Sequence, residues 1–267
     1  MTTFATAVPP GRAAALGNGH LVLLRNLMVH RHSWTILAFG VVEPILYLVS
    51  IGAGVGQMIG HVDGLGDTVT FPQYIAPALL AVAAMNGAMN ATTQGVFTRL
   101  RYEQTYHAML TTPITARGIA LGEAAWAVLR GTIEAAGFLG IMLVCGLIRS
   151  PWAVLALPGA VLIAFAFACA GLLVATLMRD WPDNQIVQLV MLPMFLFATT
   201  FYPLTVYPQP IQYLINALPL YHSIQIIREP VLGTIGADLT GSAAYLVVMG
   251  AICLWAGTRR LERQLAR

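Results

Sequence analysis

The chain reads as an all-α membrane protein of six transmembrane helices, with an amphipathic helix in the membrane interface before the first span and short re-entrant helices before the last. Three observations predict this. Of 267 residues, 58% are hydrophobic and only 9% are charged, whereas a soluble domain carries about 25% charged residues. Apolar stretches close to the 20 or so residues that a bilayer-crossing helix needs occur near 33–57, 73–96, 119–148, 153–177, 185–203 and 242–257. The arginines flanking them are sorted by side. Arg25, Arg31, Arg99, Arg101, Arg117, Arg179, Arg259, Arg260, Arg263 and Arg267 fall on one side, against Arg149 and Arg228 on the other. A bias of this kind marks the cytoplasmic face, so both termini are expected there.

The spans and their loops occupy the chain as a single transmembrane domain, 1–267, and leave no room for an ATPase or catalytic domain. All 14 basic residues are arginine. Without lysine there is no Schiff base and no phosphate-loop lysine. The net charge of +3 comes from arginines beside the membrane, which points to lipid headgroups and away from nucleic acid. Cys145, Cys169 and Cys253 stand singly in apolar stretches, without metal-site or disulfide spacing. The first twenty residues lack the apolar core of a cleaved signal peptide, so the first span is expected to act as its own insertion signal.

Before that span, Leu16, His20, Leu23, Leu24, Leu27 and Met28 recur at helical spacing, with Asn18, Arg25 and Arg31 elsewhere around the wheel. This predicts an amphipathic helix over about 12–32 lying in the interface; a frayed extension of the first span is the alternative. Within the first span Glu43 precedes Pro44, and a residue before proline is pushed from helical geometry, so a kink is expected there. Gly52, Gly56 and Gly60, and on the second span Ala83, Gly87, Ala91 and Gly95, form stripes of small residues that let helices approach closely.

Asn86, Asn90 and Gln94 share one face of the second span. Amides facing lipid are costly, so this face should meet another helix or a wet pathway. The following loop, RLRYEQTYHAMLTTPITARG from Arg99, is helix-forming up to about Leu110 and is stopped by Pro113. It reads either as a handle for a soluble partner or as a solvated connector.

The third span carries Glu123, Arg130 and Glu134 on one face, with Arg130 and Glu134 one turn apart. Ionisable groups at the bilayer centre cost about 2.5–3.5 kcal/mol on insertion scales and therefore pair or face inward. A structural salt bridge and a substrate-facing charge remain equal readings. The fifth span is rich in soft and aromatic side chains, including Met191, Met194, Phe195, Phe197, Phe201 and Tyr202. From Leu204 to Gly241 the chain is too polar to cross and is broken by prolines, which predicts short helices dipping into the outer leaflet.

Four stretches carry a resemblance to a known family: EPILYLVSIGAGVG from Glu43, FTRLRYEQTYHAMLTTPI from Phe97, LGEAAWA from Leu121, and NALPLYHSIQIIREPVLG from Asn216. In this order, on a six-span scaffold, the chain resembles the membrane subunit of an ABC-2 type exporter, more narrowly the nodulation-type lipo-oligosaccharide and daunorubicin-resistance permeases. The resemblance implies a half-transporter in the bacterial cytoplasmic (inner) membrane. Its partners would be two separate ABC ATPase subunits, which hold the ATP and Mg, and a second permease copy or close partner. It also implies that the interfacial helix and first inner loop meet the ATPase, through Arg25, Arg31, Arg99, Arg101, Tyr102, Glu103, Tyr106, Met109 and Leu110. A short re-entrant motif near the outer exit would hold Pro219, His222, Arg228 and Glu229. His222 has no second His or Cys at ligand spacing, so it is read as a hydrogen-bonding residue, not a metal ligand. The candidate substrate pathway comprises Glu43, Asn86, Asn90, Arg130, Glu134, Phe195 and Phe197, for an amphiphile that is either a lipid-linked glycan or a hydrophobic drug. The alternative is an ion-coupled carrier or channel using the charged third span. No HExxH or paired catalytic histidines support an enzyme.

Overall fold

In the computed structural model, residues 18–31, 34–59, 69–234, 236 and 238–266 are described, with 34–39, 53 and 57–59 as backbone alone. Leu16, Gly60 and Arg267, named above, lie outside them. Every regular element among the described residues is helical. In order these are α1 (Gly19–His30), α2 (Trp34–Tyr47), a π-wound segment (Leu48–Ala53), α3 (Gly54–Ile59), α4 (Phe71–Arg101), α5 (Thr105–Leu110) and α6 (Ala116–Val144). A 3₁₀ turn (Pro151–Leu155) leads into α7 (Ala156–Leu177), followed by α8 (Asp183–Phe197), α9 (Gln209–Asn216), α10 (Pro219–Leu232) and α11 (Asp238–Leu265).

Among the described residues, four helical stretches are long and apolar enough to cross a membrane, Phe71–Arg101, Ala116–Val144, Pro151–Leu177 and Asp238–Leu265. The other two expected spans are helical but shorter by that measure, at Gly40–Gly56 and Asp183–Phe197. The helix expected to run to 203 stops at Phe197 because Thr199 takes a left-handed φ of 61°, a conformation that a β-branched residue resists. The kink expected at Glu43 is displaced as well. Glu43 and Pro44 both lie inside α2, and the departure from α geometry comes one turn later, in the π-wound segment.

α4 is the central post. Thr70 caps it in a reciprocal box with Gln73, and Pro72 occupies its first turn; both are standard start signals. Ile75, Ala76, Ala78, Leu79 and Leu80 are at most 1% exposed, because α6, α7, α10 and α2 all pack on this helix. α7 in turn packs against α11. Small residues set the approach. A methyl on Gly131 of α6 would stand 2.6 Å from the Ala84 carbonyl oxygen of α4. Gly52 and Gly56 lie against Pro72, so that stripe serves packing within the chain.

A second, smaller core gathers Val22, Phe97, Tyr106, Ile119, Leu172 and Leu261 at the end of the molecule where most arginines cluster. There Arg117 at the start of α6 pairs with Glu262 of α11 at 2.7 Å. The same end holds α1, packed on α6, and α5. α1 turns Val22 and Asn26 inward, 1% and 0% exposed, and leaves Leu24, Leu27 and Met28 exposed.

Candidate functional site

The arginine-rich end is organised around one carboxylate. Glu123 in the second turn of α6 is 1% exposed. Its Oε2 accepts from Arg99 Nη1 at 2.6 Å and from Asn26 Nδ2 at 3.0 Å, and Arg25 Nη1 donates to Asn26 Oδ1 at 3.3 Å. One charged group thus ties α1, α4 and α6 together. Tyr106 of α5 is fully buried beside it, and among the described residues neither its phenol nor Glu123 Oε1 has a hydrogen-bond partner. Burial, followed by the neighbouring Glu123 carboxylate, holds the Tyr106 phenol well above its usual value. A phenol so placed stays protonated.

The other residues expected at this end divide by exposure. Arg31 and Arg101 are exposed, as is Tyr102, whose ring stands edge-on to Phe97 at 5.8 Å. Glu103 is exposed and accepts from Thr105 Oγ1 at 3.1 Å. Met109 and Leu110 pack partly buried on the smaller core. Arg99 and Arg101 sit on the last turn of α4, not in a loop, because Gln104 with φ of 49° breaks the helix only afterwards.

Two adjoining grooves run up the amide face of α4. The first, of about 270 Å³, is lined by Asn90, Gln94, Arg99, Glu103, Trp126, Arg130 and Trp181 among others. The second, of about 110 Å³, is lined by Glu43, Tyr47, Asn86, Gln188 and Phe195 with Val82, Met85, Met191 and Leu192. Gln188 of α8 donates to Asn90 Oδ1 at 3.5 Å, between the two. Five of the seven candidate pathway residues therefore line these grooves. Glu134 does not. It is 2% exposed, paired with Arg130 at 2.9 Å, and its carboxylate fills the space that a side chain on either Gly40 of α2 or Gly87 of α4 would need. Phe197 also points elsewhere, half-exposed near Tyr207.

At the opposite end, Pro219 starts α10 and Gly233, with φ of 80°, ends it. His222 lies between two partners, Ser242 Oγ at 3.1 Å and the Asn216 carbonyl at 2.9 Å, and stacks on Tyr245 at 4.2 Å. Glu229 accepts from the Gly236 amide. Arg228, counted above among headgroup arginines, is buried. Its Nη2 donates to the Thr199 carbonyl at 2.8 Å, and its guanidinium lies 4.0 Å over the Tyr74 ring. Asn26, Tyr74, Gln188 and Thr199 escaped the sequence reading. Asn26 alone carried a signal, as an uncharged amide beside Arg25 among the apolar residues of that helix. Among the described residues, no three His, Cys, Asp or Glu side chains are grouped to hold a metal ion.

Residues 20–232 match the family described as ABC-2 type transporter. The chain belongs to the ABC-2 type transporter family. The match spans the arginine-rich node, both grooves and α10. Curated relatives agree over similar extents. The chain is 30% identical to "Nodulation protein J" of Rhizobium leguminosarum bv. viciae over 226 residues, 84% of this chain and 86% of that protein. It is 31% identical to "Nodulation protein J" of Rhizobium meliloti (strain 1021) over 211 residues, 77% and 79% respectively. "Nodulation protein J" of Azorhizobium caulinodans is 27% identical over 241 residues, 85% and 91%. As an ABC-2 permease the chain is a transporter membrane component, and such permeases work with an ATPase partner.

Proposed function

We propose that this chain is the transmembrane permease of an ATP-driven exporter in the bacterial cytoplasmic membrane, with six spans and both termini cytoplasmic. It moves an amphiphile outward from the cytoplasm or inner leaflet. Two separate ATPase subunits, carrying ATP and Mg, grip the arginine-rich end, and a second permease copy or close partner completes the conduit.

The single observation that supports this most is the convergence of α1 and α5 on Glu123. Both elements lie at the surface facing a cytoplasmic motor, and both reach the same buried carboxylate. A push on Arg101, Tyr102, Glu103 or Arg31 from outside has a short rigid route, through Tyr106 and Asn26, into α4 and α6. Those helices carry the grooves. Hinge or shear movements of packed helices are the usual outcome of such a push.

The test is reconstitution. Vesicles holding the permease with its ATPase should export a lipid-linked glycan or a hydrophobic dye only when ATP is supplied, and charge reversal at Arg101 and Glu103 should abolish capture of the ATPase. An ion-coupled carrier using Arg130 and Glu134 predicts transport by this chain alone on an ion gradient. That result would overturn the exporter reading.

A further inference from the structure

α11 is bracketed by two charges, Asp238 at its start and Arg259 near its end, and carries none between them. At 1.5 Å per residue they lie about 32 Å apart, which matches a hydrocarbon core of about 30 Å. Arg259 therefore stands at a membrane boundary. Arg260 and Arg263 follow within about one turn, and all three are exposed. The Arg259 guanidinium lies 4.2 Å over the ring of Trp255, itself 59% exposed. Among the described residues no ion pair engages any of the three, because Glu262, the carboxylate in their midst, is paired with Arg117 at 2.7 Å. Four arginines against one carboxylate leave this patch clearly positive.

An apolar trough leads into the patch. It has a volume of about 550 Å³ and is lined by Ala244, Tyr245, Val248, Met249, Ile252 and Cys253 among others. These residues fall on two adjacent rows at four-residue spacing, 244–248–252 and 245–249–253, so the trough is the furrow between two ridges of one helix. The first row continues through Ala256 to Arg260, with Trp255 and Arg259 alongside. From Arg259 to Val248 is about 16 Å, half of the hydrocarbon core and so the reach of one lipid tail.

Charge decides the occupant. A zwitterionic head brings its own ammonium to an already positive patch. A membrane helix of another protein carries its arginines and lysines at this same boundary, which would set like charges together. A phosphate with no cation of its own answers both objections, and a tail attached to it fills the trough.

We propose that this face of α11 binds one anionic phospholipid of the inner leaflet, its phosphate held by Arg259, Arg260 and Arg263 beside Trp255 and one acyl chain laid in the trough as far as Val248. The leaflet rests on the reading that this end is cytoplasmic. Glu262 and Gln264, set among the arginines, tie α11 to Arg117 of α6 and to the Thr176 carbonyl of α7, so the lipid braces those contacts.

The experiment uses the full chain, without an ATPase, in phosphatidylcholine vesicles holding a trace of phosphatidylglycerol or phosphatidylcholine with a diazirine in one acyl chain. Crosslinks are mapped by peptide mass spectrometry. Phosphatidylglycerol should label 245–256 at roughly tenfold lower mole fraction than phosphatidylcholine, the scale of one or two arginine contacts with an anionic headgroup. The triple variant Arg259→Gln, Arg260→Gln and Arg263→Gln should lose this preference, and phosphatidylglycerol should raise the melting temperature of the parent but not of the variant. Equal labelling of the parent by both lipids would mean ordinary boundary lipid and would overturn the proposal, whatever the variant does. Labelling by neither lipid, the mark of a protein covering this face, would overturn it too, as would a preference that maps elsewhere or survives the triple variant. Both leaflets carry the probe, so the preference is read whichever way the chain lies. Trypsin added to sealed right-side-out membrane vesicles reads the orientation separately: cleavage at 259–263 sinks the cytoplasmic placement and the leaflet, while equal labelling sinks the lipid site alone.

Discussion

Arg99 of α4 and Glu123 of α6 form an ion pair of 2.6 Å with side-chain exposures of 12% and 1%. The pair is buried and shares its carboxylate oxygen with Asn26. Removing one partner of such a pair strands the other charge, at a cost of about 3–5 kcal/mol. Glu123→Ala should therefore lower the melting temperature more than Asn26→Ala, which leaves the ion pair intact and deletes the longer bond from Arg25 and the bond to Glu123, the latter worth about 1.5–3 kcal/mol. In the double variant the losses should not add, because both act on the same oxygen. Thermal melts of the purified proteins check this.

Glycines in the spans differ in what surrounds them. A methyl at Gly87 would collide with the Glu134 carboxylate and the Gly131 backbone, while at Gly140 it meets nothing within 4 Å. Gly87→Ala should destabilise by about 1–3 kcal/mol through overpacking. Gly140→Ala should be neutral or stabilise by about 0.5–1 kcal/mol, the ordinary helix preference for alanine. Denaturation of the two variants side by side would expose an error if both moved alike.

Much of this was legible in the chain because membrane helices announce themselves by length and hydropathy, and because Arg130 and Glu134 at four-residue spacing could only meet on one face. Resemblance in four stretches supplied the family. What stayed hidden depended on tertiary approach. Nothing near Gly40 or Gly87 says that a carboxylate from a third helix will lie between them. Nor does the run ATTFYP from Ala198 show that α8 stops early, since its backbone is held by Tyr74 and Arg228 from distant segments. Among the described residues four helical stretches are long enough to cross, while α8, at 15 residues, measures only about 22 Å.

Arg228 is 6% exposed and has no carboxylate in contact among the described residues; it donates to the Thr199 carbonyl and, at 3.5 Å, to the Thr199 hydroxyl, and lies over the face of Tyr74. Its work is to hold the left-handed turn after α8. Arg228→Met should release that turn and open Thr199 and Thr200, both buried here, to hydrogen exchange. Tyr74→Phe removes one 3.3 Å bond to the same carbonyl and should cost about 0.5–1.5 kcal/mol. Unchanged exchange at Thr199 in Arg228→Met would remove the guanidinium from this role.

Glu43 is exposed on α2 and lines the second groove with Asn86, Gln188 and Phe195. No ion pair engages it among the described residues. Glu43→Gln keeps its shape and should leave the stability within about 0.5 kcal/mol of the parent, as substitutions away from packed features do. Export should nonetheless fall. Normal export by a well-expressed variant would take Glu43 out of the pathway.

Asp183 begins α8 and turns its carboxylate back to the preceding loop, accepting from the amides of Arg179 at 2.7 Å and Asp180 at 3.4 Å. Those backbone bonds, that of Arg179 foremost, hold its carboxyl below the usual aspartate range. A group whose value is depressed by folding adds stability above its unfolded value of about 3.9 and loses it as pH falls through the folded value. Asp183→Asn should therefore loosen the α7–α8 turn at neutral pH. The gap between parent and variant should close in acid, once the parent carboxylate is itself protonated. Melting curves of the solubilised proteins across this range give the sign directly, and a gap that widened toward low pH would contradict the assignment.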